Sequence, residues 1–129
     1  MSICLVVDDD PSVRKYVSNV LQRENIRTLE AEGGFEALRI VQKLGGDVDL
    51  IVSDIQMPNG DGLSLARAVR VSFPRVPVVL ISGNVAPDLG FAFVEKPFLP
   101  ADLVAAVRKA LPAHFNDGAG KTRYPSVAA

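Results

Sequence analysis

Apolar residues recur along this chain in five short runs: ICLVV (3–7), IRTLEA (26–31), LIVSD (50–54), PVVLIS (77–82) and FAFVE (91–95). Each is a strand's length and rich in Val, Ile or Phe. Between most of them the apolar period changes to a helical one. Val13, Tyr16, Val17, Val20 and Leu21 stand at i, i+3, i+4, i+7 and i+8, so they predict one inward face of a helix that Pro11 opens and Asp10 or Ser12 caps. Further helices are predicted over 34–43, with Ala37, Leu38 and Val41 inward, over 62–71 with Asp61 as its cap, and over 101–111, closed by Pro112. Strands alternating with helices imply an α/β fold, a doubly wound parallel sheet with helices on both faces. The continuously apolar runs 3–7 and 77–82 predict interior strands, and the mixed run 26–31 predicts an edge.

One crossover breaks the pattern. Only nine residues, 83–91, lead from the end of the fourth run through the first residue of the fifth, and they include Gly83, Pro87 and Gly90. A parallel crossover that carries a helix needs a dozen residues or more, so the fourth helix is expected to be short or replaced by a loop. The segment is read as a flap whose order depends on ligand, in preference to a loop lying statically on the sheet. Residues 1–112 are expected to form the domain and 113–129 a flexible tail, with no role for His114. GAGKT (118–122) is not a phosphate loop, because Phe115 stands where its first glycine belongs and no strand precedes it.

Composition narrows the function. The chain has 129 residues, 48% hydrophobic and 22% charged, enough for one core and too few for two. Fourteen basic against fifteen acidic residues leave a formal charge of −1, which makes no electrostatic case for nucleic acid or an anionic membrane. No apolar stretch nears the ~20 residues of a membrane span. No secretory leader is visible, and the single Cys4 lies in an apolar run, so a cytoplasmic protein is expected.

The candidate chemistry lies at the carboxyl ends of the runs. Asp8 and Asp9 follow the first, Asp54 ends the third and Ser82 the fourth, and Lys96 follows the fifth. In an open α/β sheet these ends share one edge, outside which ligands bind. Adjacent carboxylates repel, so the sequence DDD at a strand end calls for a compensating cation. Carboxylates, a hydroxyl and an ammonium brought together suit phosphoryl transfer: a carboxylate nucleophile, Mg²⁺ (or Mn²⁺) on the acidic groups, and a lysine neutralising the transferred group.

VVDDDPSVR, SDIQMPNGDG, ISG and EKPF, in this order over residues 3 to about 111, resemble the response-regulator receiver domain of bacterial two-component and phosphorelay signalling. The resemblance, and not the hydrophobic pattern, implies the flavodoxin-like strand order 2-1-3-4-5. It implies that Asp54 accepts the phosphoryl group and that Asp9, Asp54 and the backbone carbonyl of Gln56 bind Mg²⁺, with Asp8 acting through water. It further implies Ser82 as switch hydroxyl, Lys96 as phosphate partner, Phe93 as switch aromatic, Gln56 and Asn84 as tuners of phosphoryl lifetime, and a cis bond before Pro97. For Phe93, core packing explains the residue equally well.

Such a domain is a signalling switch rather than an enzyme. It takes its phosphoryl group from a histidine kinase or histidine phosphotransfer protein and reports to a downstream protein. The alternatives are the receiver part of a hybrid kinase, a pseudo-receiver that binds partners without phosphorylation, and a phosphatase of the haloacid-dehalogenase type. The phosphatase would use Asp8-x-Asp10 as its nucleophile motif, and it leaves Asp54 unexplained. A flavin-binding flavodoxin-like protein is disfavoured by the absence of Trp and of a Ser/Thr-rich loop after the first run.

Overall fold

The computed structural model describes residues 2–83 and 90–116. Five strands, β1 (Ile3–Val7), β2 (Arg27–Ala31), β3 (Leu50–Asp54), β4 (Val78–Ser82) and β5 (Ala92–Glu95), form one parallel sheet in the order β2-β1-β3-β4-β5. The helices are α1 (Pro11–Gln22), α2 (Gly34–Lys43), α3 (Gly62–Ser72), α4 (Pro100–Ala110) and α5 (Pro112–Asn116).

Strand periodicity of two divides the apolar residues between two cores. Cys4, Val6, Leu50, Val52, Val79, Ile81 and Val94 face one side and pack with α1 and α4 through residues such as Val17, Leu21, Leu103 and Val107. Leu5, Val7, Ile51, Val78 and Leu80 face the other and pack with α2 and α3 through Ala37, Val41, Leu65 and Val69. Because both faces are covered, β1 reads as an unbroken apolar run, and so do β3 and β4 up to the polar residues at their carboxyl ends. The predicted edge, β2, keeps Arg27, Leu29 and Glu30 exposed.

Two helical expectations change. Tyr16 is 38% exposed rather than inward, with its ring stacked on Phe98 at 5.7 Å, and Ser18 takes a buried position on α1. Pro112 does not end the helical chain: it stops α4 and starts α5, since a proline's missing N–H is dispensable in a first turn. His114 holds α5 in place. Its Nε2 donates to the backbone carbonyl of Glu24 at 2.7 Å, which leaves Nδ1 to accept from Ser2 Oγ at 3.0 Å.

Between β4 and β5 no helix occurs among the described residues. Residues 84–89, and with them Asn84 and most of the expected flap, lie outside those described, as do 117–129. The end of this connection is fastened to α3: Arg70 Nη2 donates to Gly90 O at 2.8 Å, and its guanidinium lies 3.8 Å over the Phe91 ring.

Candidate functional site

The carboxyl ends of β1 and β3 are neighbours in the sheet, Val7 standing opposite Ser53, so the residues just beyond them share one pocket. Asp8, Asp9 and Asp54 each bring a carboxylate oxygen within 4.8 Å of the others. Asp8 and Asp54 are buried and Asp9 is exposed. On the far side, Ser82 and Lys96 come from adjacent strand ends, where Lys96 N donates to Ser82 O at 2.8 Å. The Lys96 ammonium then reaches 3.5 Å from Asp54 Oδ1 and 3.9 Å from Asp8 Oδ2. The Lys96–Pro97 peptide is cis.

Local bonds aim these groups. Asp8 Oδ1 accepts from Asp10 N at 2.9 Å, and Asp54 Oδ1 accepts from Ile55 N at 2.9 Å. Asp10 turns away, accepting from Ser12 N at 2.8 Å as the cap of α1. The Asp8-x-Asp10 pair required by the phosphatase reading is therefore not formed. The loop after Asp54 is pinned at both ends. Gly62 N donates to Ile55 O at 2.8 Å, and a Cβ on Gly62 would run into the carbonyl oxygen of Asp54. At its tip, the carbonyls of Asn59 and Gly60 accept from Phe35 N and Gly34 N, closing the start of α2, where Gly33 offers no side-chain cap.

Burial drives the electrostatics. Desolvation raises the Asp54 carboxyl above its ordinary value, with Lys96 and the Ile55 N–H acting against it. Desolvation likewise raises Asp8, opposed by the Asp10 N–H, reinforced by the charge of Asp54 and lowered by Lys96. Asp8 Oδ2 is buried and accepts no hydrogen bond. A buried carboxylate oxygen without a donor, beside two further carboxylates, is a ligand set for a hard divalent cation. An ion about 2.1 Å from each oxygen needs them within about 4.2 Å of one another, so small side-chain rotations suffice. The residues fit Mg²⁺.

Residues 4–108 match the family model of the response regulator receiver domain. The chain belongs to that family. It is 36% identical over 115 residues to the sensor kinase CckA of Brucella abortus (strain 2308), covering 83% of this chain and 12% of that protein. It is 35% identical over 115 residues to the transcriptional regulatory protein ResD of Bacillus subtilis (strain 168), covering 83% and 47%. Among solved structures, the receiver domain of the hybrid histidine kinase CckA superposes with a TM-score of 0.76 at 34% identity, over 85% of this chain and 99% of that one. The response regulator TrrA of Thermotoga maritima, crystallised with Mg²⁺-BeF, gives 0.77 at 32% identity, over 86% and 100%. The chain thus spans less than half the length of these two curated relatives. Receiver domains are signalling modules that bind Mg²⁺ and take phosphoryl groups from histidine kinases. No described helix is long and apolar enough to cross a membrane.

Asp8, Asp9, Asp54, Ser82 and Lys96 all stand at the edge where the sequence puts them. Gln56 is exposed two residues beyond Asp54, and Phe93 is half-buried against the core on the α2 and α3 side. Arg14 escaped the sequence reading. It lies on the first turns of α1, yet its Nη1 donates to the carbonyl oxygen of Asp8 at 2.8 Å. A helix-surface arginine carries no pattern that announces such a bond.

Proposed function

We propose that this receiver domain is a phosphorylation-driven switch in which Asp54 accepts a phosphoryl group from a phosphohistidine donor. The observation that carries the reading is the convergence of Asp8, Asp9 and Asp54 with the Lys96 ammonium 3.5 Å from Asp54. The Asp54 carboxylate attacks phosphorus as the N–P bond of the donor breaks. The electron pair returns to the donor imidazole, and an acyl phosphate forms on Asp54. Asp9, Asp54 and the Gln56 carbonyl would hold Mg²⁺, with Asp8 acting through water; the bound ion supplies charge neutralisation on the transferring oxygens. Lys96 moves from carboxylate partner to phosphate partner with little displacement, because it already faces Asp54.

Ser82, at the next strand end, would donate to a phosphate oxygen, and Phe93 would be the aromatic that follows it. Gln56 and Asn84 would tune the phosphoryl lifetime. The donor is a histidine kinase or histidine phosphotransfer protein, and the recipient of the signal is a further protein in the cytoplasm. Similarity to the CckA receiver favours a second setting, in which the same chemistry serves the receiver of a hybrid kinase.

Beryllofluoride, which mimics an acyl phosphate on a carboxylate, tests the switch by amide NMR. Shifts at Asp54, Ser82 and Lys96 that need beryllofluoride and Mg²⁺ together are expected. No shift with both present, or the same shifts without Mg²⁺, contradict the reading.

A further inference from the structure

Asp8 and Asp9 lie just past the last paired residues of β1, where the sheet no longer fixes the chain: the registers end at Val7 opposite Ala31 and Val7 opposite Ser53. The backbone is nevertheless held on both sides of Asp8. Its N–H donates to Ala31 O at 3.1 Å, and its carbonyl accepts from Arg14 Nη1 at 2.8 Å. The same guanidinium uses Nε on Glu30 Oε1 at 3.2 Å, near the end of β2. The Arg14 side chain is only 14% exposed, so this fork is stiffly packed.

The carbonyl of Asp8 belongs to the peptide that joins it to Asp9. Fixing that peptide plane fixes the direction in which Asp9 leaves the chain, and Asp9 is the exposed member of the acidic trio. We propose that Arg14 is a positioning residue, which holds the Asp8–Asp9 peptide so that the Asp9 carboxylate joins Asp8 and Asp54 around a divalent cation. This rests on the Mg²⁺ reading above and adds to it a residue that touches neither metal nor phosphate.

Charge alone makes the opposite demand. A guanidinium on the Asp8 carbonyl repels an incoming cation and does not attract it, so deleting its charge should, through charge alone, leave Mg²⁺ binding as tight or tighter. A loss of affinity can then come only from lost geometry, and the sign separates the two roles.

Isothermal titration of the full chain with Mg²⁺ at fixed ionic strength reads that sign, with Tm measured in parallel. Arg14→Met is expected to weaken Mg²⁺ binding about tenfold, the scale of losing a group that orients a metal ligand. Arg14→Lys, able to reach one acceptor but not to bridge both, should fall between Arg14→Met and wild type. Arg14→Met binding Mg²⁺ as tightly as wild type, or more tightly, overturns the proposal whatever happens to Tm. If Arg14→Met does not fold, Arg14→Lys carries the test: weaker binding supports the role, and wild-type affinity overturns it. Wild-type protein that takes up no Mg²⁺ removes the metal reading itself, a failure distinct from that of Arg14.

Discussion

Asp8 and Asp54 are carboxylates that the folded chain would rather keep protonated, because burial raises both above the ordinary value of 3.8. The sign for stability follows. Well below that value both states of the chain bind the proton and the stabilising contribution is whole; as pH rises through the raised folded values it is lost. At neutral pH without metal these groups therefore work against the fold. Asp54→Asn removes one charge at nearly constant shape, so its Tm in EDTA at pH 7.5 is expected to exceed that of wild type by a few degrees. Thermal melts should show the gain shrinking toward pH 3.5. Added Mg²⁺ should narrow it too, by stabilising wild type through binding. These residues were legible in the sequence because each ends an apolar run, and parallel strands put such ends together. Arg14 was not, since its partner beside the pocket is a backbone carbonyl that any sequence offers. Tyr16 misled because helical periodicity marks a face and does not say how far the neighbouring elements cover it.

The element that delivers Asp54 to the pocket is the β3–α3 connection, and its geometry depends on how α3 begins. Asp61 Oδ1 accepts from Ser64 N at 2.8 Å and Oδ2 from Ser64 Oγ at 2.9 Å. The bond to the Ser64 N–H is the main cause that lowers the Asp61 carboxyl below its ordinary value. Its stabilisation is present above the ordinary carboxylate value and is lost as pH falls through the lowered one. Asp61→Ala is expected to cost about 1 kcal/mol in urea unfolding at pH 7, and much less at pH 2.5. The apolar run LSLARAV immediately after Asp61 made this cap readable in advance. Gly62 was less readable: its role is to let α3 approach the Asp54 carbonyl, a contact between backbones. The start of α2 was hidden for a related reason. Its N–H groups are satisfied by Asn59 and Gly60, some 25 residues away along the chain, and no local motif encodes such a cap.

At the scale of the whole molecule the sheet has two ends with separate tasks. One carries the acidic pocket; the other is closed by α5, where His114 joins the start of β1 to the turn after α1. His114→Ala removes two hydrogen bonds remote from Asp54. Urea unfolding should show a loss of about 1–2 kcal/mol, with uptake of phosphoryl groups at Asp54 unchanged. Strand number, parallel sense and the β2 edge were legible from period and run length. The order of the strands was not, because alternation tells which residues are buried and not which strands pair; it came with the family resemblance. The nine residues between β4 and β5 announced a departure in the sequence, and the described part of that connection ends with Arg70 stacked on Phe91.

A phosphoryl acceptor at Asp54 whose reaction needs a divalent cation can be seen as added mass on the intact chain. Intact-mass measurement after incubation with acetyl phosphate and Mg²⁺, on wild type and Asp54→Asn, addresses it directly. One phosphoryl adduct is expected on wild type, abolished by EDTA and absent from the variant. An adduct that persists in Asp54→Asn, or none on wild type at any Mg²⁺ concentration, would contradict it.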